Sequence, residues 1–274
     1  MMKHQPRIPL HRPMWLSSLS VLIAAAFPIH VHAVNDTGTT ACYTDSQFAV
    51  ACTAAVTSDT GTYPRQDSRM GRDANAALTK IGAGAAGFDF TKISNAGNAV
   101  AASTALGPGA NDWACTRDNV TGLVWEVKTS NPTTPGLRDV ANTYTWYNPD
   151  VGANGGDAGS TGTTTTCNST LAACNTQEYV AAVNAANLCG RSDWRLPSYK
   201  DAFTIFNAQA LGNSTPTPFD PTYFLARGSS TFTSNTTVTV ANNVFYVDSN
   251  GMNVTSKSSL ARQVRVVAGT NAYQ

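Results

Sequence analysis

Six cysteines are the residues of this chain best equipped for chemistry: Cys42, Cys52, Cys115, Cys167, Cys174 and Cys189. A thiol can cross-link, ligate a metal or attack a substrate. No Cys-x-x-Cys spacing is present, so the pattern of a zinc or redox pair is missing. An even number of cysteines in an exported chain favours cross-links. Six cysteines permit many pairings. The expected set is Cys42–Cys52, Cys115–Cys189 and Cys167–Cys174. The first and last close small loops, and the middle one constrains the unfolded chain most.

Charged groups offer less. Arg195 stands between Trp194 and Leu196, an apolar corner in which a guanidinium needs its donors satisfied. The expected partner is Glu126, with Asp248 as second choice. The rival role is contact with a sulfate or carboxylate of a ligand. Glu126 and Glu178 are the only glutamates, and their spacing does not suggest an acid–base pair. The aspartates are scattered, so nothing points to paired-carboxylate glycosidase chemistry. The run Asp150-Val151-Gly152-Ala153-Asn154-Gly155-Gly156-Asp157 supplies oxygen ligands among glycines, as calcium loops do. It fits no established loop motif and reads first as a solvated insertion. Calcium is the one cofactor kept open; otherwise none is expected. Trp125, Tyr144, Trp146, Tyr147 and Trp194 are read first as core, and second as a sugar-stacking platform.

The elements that must position these residues are short. Phe88–Ile93 alternates apolar and polar residues and predicts a strand. Trp113–Arg117 and Gly122–Val127 predict two more, joined at the turn-prone pair Asp118-Asn119. Tyr144–Tyr147 predicts a short strand before a long Gly/Thr/Asp-rich loop, Asn148–Thr166. A helix over Thr176–Leu188 is capped by Asn175, with Glu178 three residues on. Gly190 suits the left-handed position past its end. A second helix is expected over Tyr199–Ala210, opened by the box Ser198/Asp201. Val238–Ala241 and Val244–Asp248 flank a hairpin signal at Asn242-Asn243. Asp248–Gly251 is a further turn, and Gln263–Val267 a closing central strand. A short helix is expected within 71–80, and Gly82–Gly87 reads as a loop. Helices early and strands late describe an α+β domain with antiparallel sheets and two main helices.

Two blocks carry a family resemblance. Asp112-Trp113-Ala114-Cys115-Thr116-Arg117-Asp118-Asn119-Val120-Thr121-Gly122-Leu123-Val124-Trp125-Glu126 and Ser192-Asp193-Trp194-Arg195-Leu196-Pro197 resemble the signatures of the bacterial Lcl C-terminal domain family. Val264-Arg265-Val266-Val267 resembles its closing strand. The family is named for the end domain of a collagen-like adhesin, and the resemblance covers roughly 112–268. Trp125, Glu126, Trp194, Arg195 and Pro197 are its structural signature. Many members carry a Trp-Ser-Ser block where this chain has Phe232-Thr233-Ser234-Asn235, a change expected to alter surface more than fold. The resemblance implies a C-type-lectin-like fold, stapled by disulfides. The Glu-Pro-Asn and Trp-Asn-Asp triplets of sugar-binding C-type lectins are absent.

The chain opens like an export signal. Lys3, Arg7 and Arg12 precede an apolar run, Trp15–Phe27, and Val31-His32-Ala33 fits a peptidase site. The expected organisation is a signal over 1–33, an irregular leading segment over 34–111, the signature domain over 112–268 and a tail over 269–274. His4, His11, His30 and His32 are the only histidines. Cleavage after Ala33 would remove them all, and with them any Ser-His-Asp, Cys-His or His-zinc site. It would also move the formal charge from +1 to −2, leaving no overall attraction for nucleic acid. The expectation is an exported protein, periplasmic, cell-surface or secreted. It has no membrane span once the signal is gone. It is read as a non-catalytic binding or adhesion module for a glycan or an envelope or host protein. The alternatives are an enzyme of formylglycine-generating-like architecture, which needs a reactive cysteine pair, and a purely structural envelope module.

Overall fold

The computed structural model describes residues 35–46, 50–53, 61–75, 77–211, 217–224, 231–237, 239–248, 250–258 and 262–270. The expected signal segment lies outside the described residues. All described residues belong to one compact unit, His32–Gln274.

The unit is α+β, with two antiparallel sheets and few helices. Strands β1 (Phe90–Ser94), β2 (Trp113–Asp118) and β3 (Val124–Glu126) form one side of a five-stranded sheet. Strand β4 (Trp194–Arg195) and the last strand, β8 (Val267–Ala268), complete it in the order β1-β2-β3-β8-β4. The last strand is therefore inserted inside the sheet, between β3 and β4. Strands β5 (Thr231–Thr236), β6 (Asn243–Asp248) and β7 (Gly251–Ser256) make the smaller sheet. The leading segment folds with the signature domain, because β1 pairs along β2 from Phe90↔Asp118 to Ser94↔Trp113.

The five-stranded sheet has an apolar cluster on each face. One contains Val124, Trp194 and Ala268 with Tyr179 and Val183 of helix α1 (Thr176–Ala185). The other contains Trp125 and Val267 with Ala202 of helix α2 (Tyr199–Phe203) and the rings of Phe88, Phe90, Phe219 and Phe224. The period of two along each strand assigns neighbours to opposite faces.

Caps set both helices. The Asn175 side chain accepts from the Glu178 amide. Ser198 and Asp201 close a reciprocal capping box. Both helices are shorter than expected. Asn187 takes the left-handed conformation, φ 48°, ahead of Gly190, so α1 ends at Ala185. Helix α2 ends at Phe203, where the Thr204 hydroxyl donates to Asp201 O. Asn207 then starts a separate 3-10 turn, Ala208–Ala210. Among the described residues of 71–80, the helical element is a 3-10 turn at Arg72–Ala74. The small hairpin is also shifted: β5 spans 231–236, not 238–241.

Three disulfides staple the unit, and they are the pairs chosen from the sequence: Cys42–Cys52, Cys115–Cys189 and Cys167–Cys174. The middle one ties β2 to the turn after α1. None of the six cysteines is free.

Candidate binding groove

Strand β4 sends its two side chains to opposite faces. Trp194 is buried and its indole N–H donates to Leu188 O. It packs beside α1, where Asn184 bonds its backbone N–H and C=O. The sequence suggests for Trp194 a buried place between the second helix and the late strands; it is buried and paired to the last strand, but the helix beside it is the first, α1. Arg195 faces the other way and pairs with Asp201 at 2.8 Å, not with Glu126 or Asp248. Register explains the change. Val267 of β8 stands opposite both Trp125 and Arg195, so Trp125 and Arg195 share a face and Glu126 lies on the other. Asp248 sits in the β6–β7 turn, where it accepts from Asn250 N and Asn253 Nδ2.

Arg195 is about one third exposed (32%), whereas Asp201 is fully buried (0%). Nη1 also donates to Leu196 O, and Nε to Gly269 O. Nη2 is itself buried and has no hydrogen-bond partner among the described residues. Asp201 Oδ2 serves two donors at once, Arg195 and the Ser198 amide. The capping box thus positions the arginine as well as starting α2.

Arg195 lines an open groove of about 890 Å³. Tyr147 and Asn148 contribute from the base of the long loop, and Thr176, Gln177 and Val180 from α1. Leu196, Ser198, Tyr199 and Lys200 follow Arg195, and Ser234 and Asn235 come from β5. The lining holds two cations, Arg195 and Lys200, and no carboxylate. Two links fix β5 against this corner: Ser234 N donates to Pro197 O, and Tyr199 N to Asn235 Oδ1. The departure from the Trp-Ser-Ser block therefore falls partly on the groove wall. Phe232 and Thr233 of the same stretch are buried.

The sequence reading found Arg195 but missed Tyr199, Lys200, Gln177 and Asn235. Their signal was hidden because Ser198–Asp201 reads as a helix start and nothing else. Of the five aromatics weighed as a stacking platform, Trp125, Tyr144, Trp146 and Trp194 are core. Tyr147 is partly exposed in the groove, where Tyr199 supplies a second ring.

Glu126 anchors a different assembly, inside the α1-side core. Its Oε1 pairs with Lys128 Nζ at 2.8 Å and accepts from the Tyr179 hydroxyl; Oε2 accepts from Val266 N. Arg265, whose guanidinium lies over the Phe219 and Phe224 rings of the other cluster, donates from Nη1 to the Glu126 backbone carbonyl, and its Nη2 has no hydrogen-bond partner among the described residues. Burial pulls Lys128 down to about 8, against the attraction of Glu126. Burial, then the Glu126 charge, raises Tyr179 well above its ordinary value. All four side chains are essentially buried and none lines the groove.

Two places gather oxygen atoms. Carboxylate oxygens of Asp36, Asp67 and Asp73 lie within 4.8 Å of one another. Burial is the first cause that raises Asp67 and Asp73. Asp36 already accepts from Gly38 N and Arg72 N, and Asp67 from the Thr37 hydroxyl. In the loop considered for calcium, Asp150 and Asp157 accept from the amides of Gly152 and Gly159.

A disulfide-stapled α+β domain with a cationic, tyrosine-bearing groove is the class of protein defined by this geometry. The sequence profile of the Lcl C-terminal domain family matches residues 114–268, more than half of the chain, and the protein belongs to that family. No curated protein and no solved structure matches the chain.

Proposed function

We propose that the protein is an exported, non-catalytic binding module with a C-type-lectin-like fold. Its groove takes an acidic segment of a glycan, or of a protein, at the cell envelope or outside it. The observation that carries the reading is Arg195: a guanidinium one third exposed and oriented by buried Asp201, in a groove that also holds Lys200, Tyr147 and Tyr199. A planar guanidinium is suited to a carboxylate or sulfate, and tyrosine rings suit sugar faces. Three disulfides favour an oxidising compartment. No helix among the described residues is long and apolar enough to cross a membrane.

The enzyme alternative draws no support from the cysteines, since all six are cross-linked. The remaining candidates for acid–base work around Glu126 lie in the core, away from the groove. A glycan array probed with the exported chain tests the proposal. Acidic glycans should be retained, and Arg195→Gln should weaken retention by roughly 10–100-fold, the worth of one charged hydrogen bond of about 1.5–3 kcal/mol. Equal retention by wild type and variant would remove Arg195 from the site.

A further inference from the structure

Lys257 follows β7 and is fully buried. Its Nζ donates to three backbone carbonyls: Asn154 O at 2.5 Å, Asp157 O at 2.8 Å and Ala241 O at 2.5 Å. It lies 4.7 Å from the ring centroid of Trp146. An ammonium has three donors, and here each has one carbonyl, with an aromatic face beside them. Convergent carbonyls of this kind are what a bound cation requires. One side-chain oxygen each of Asp150, Asn154 and Asp157 accepts from an amide of the same loop, those of Gly152, Gly156 and Gly159.

We propose that Lys257 is a tethered cation that holds the 148–159 loop in place of a metal ion, and that it thereby positions one wall of the groove. The path is short. Lys257 holds Asn154 O, the Asn154 side-chain Nδ2 donates to Asn148 O at 3.2 Å, and Asn148 lines the groove beside Tyr147. The loop base is closed by Asn148 N to Ala158 O and by the Tyr147↔Gly159 bridge. Gly159 packs so closely that a Cβ there would lie 2.2 Å from Trp146 O. The positioning half rests on the proposed role of the groove; the loop-holding half does not.

Amide hydrogen exchange on the exported chain tests both halves without any ligand. In Lys257→Ala, exchange across 148–159 should rise by about tenfold or more, with α1 unchanged. Added methylammonium, which fits the vacated cage, should restore protection to the variant and leave wild type unaltered. EDTA should leave the wild-type loop protected. The proposal is overturned if EDTA loosens that loop, if the variant loop stays protected, or if protection is lost equally throughout the unit. If Lys257→Ala does not fold, the wild type still decides. Its Lys257 ammonium should give a slowly exchanging nitrogen-15 resonance with contacts to the Trp146 ring, and absence of that signal overturns the proposal. For the positioning half, the amides of Tyr147 and Asn148 should shift in the variant, and unchanged shifts reject it. A groove that retains no glycan alters none of these readouts, so the two readings fail separately.

Discussion

Replacing Glu126 with Gln should destabilise this protein more than any other single change of comparable size. The carboxylate is the paired anion of buried Lys128, at 2.8 Å, and its charge also acts on buried Arg265, whose guanidinium bonds the Glu126 backbone carbonyl. Gln keeps the shape and removes the charge. Lys128 then retains the Tyr179 hydroxyl at 2.7 Å but no anion. Leaving a buried ion without its partner costs about 3–5 kcal/mol. At roughly 2–4 °C per kcal/mol for a unit of this size, the melting temperature falls by roughly 6–20 °C. The double variant Glu126→Gln with Lys128→Met should recover about 2 kcal/mol or more of that loss, because it removes the orphaned ammonium. Calorimetry with the disulfides intact measures the whole cycle. A single-variant loss below about 1 kcal/mol, or a double variant no better than the single, would refute the reasoning. Titration adds a check. Lys128 is held at about 8 in the fold against 10.5 unfolded. Between those values the unfolded chain keeps the proton that the folded chain has lost, so Lys128 makes stability rise with pH across that window. Lys128→Met should remove this contribution.

Three further outcomes follow from single residues. Burial pushes Asp118 up to about 6, against hydrogen bonds from the Thr121 hydroxyl and from the amides of Val120 and Thr121. Stability should therefore fall by up to about 3 kcal/mol as pH rises from about 4 to about 6, and Asp118→Asn, which can keep the turn, should flatten that slope in a pH-dependent melting series. Loss of Cys115–Cys189, with a separation of 74, should cost about 4 kcal/mol, against about 2 for Cys167–Cys174 with a separation of 7; equal costs in denaturant titrations of the paired Cys→Ala variants would contradict the loop-closure argument. Arg195→Ala should cost only about 1–2 kcal/mol, because the arginine is one third exposed and Asp201 keeps the Ser198 amide; a drop in melting temperature beyond roughly 10 °C would make Arg195 chiefly structural.

Local chemistry was legible in the sequence, and cross-strand geometry was not. Asn175 and the Ser198/Asp201 box announce helix starts because a cap acts within three residues. Cys42–Cys52 and Cys167–Cys174 were readable because they close short loops. The partner of Arg195 was hidden. It depends on β8 entering the sheet between β3 and β4, which turns Glu126 to the opposite face. The small hairpin was misplaced for a related reason. The clear alternation lies at Val238-Thr239-Val240, whereas Thr233–Thr237 is an unbroken polar run, so the pattern favours the wrong part of the stretch and only pairing with β6 defines β5. The groove was legible only in Arg195 and in the adjacent aromatics Trp146 and Tyr147. Tyr199 and Lys200 sit in the first turn of a helix, where the capping residues dominate the reading. Lys257 was silent, because a lone lysine after a strand gives no sign of three carbonyls converging from distant segments.

The central claim is that the groove beside β4 is where a ligand sits. Nitrogen-15 NMR of the oxidised chain, titrated with an oligosaccharide bearing carboxylate or sulfate groups, tests it. The account predicts saturable shifts at Tyr147, Gln177, Arg195, Tyr199 and Asn235, abolished in Arg195→Gln. Shifts confined to another face, or unchanged in that variant, would contradict it.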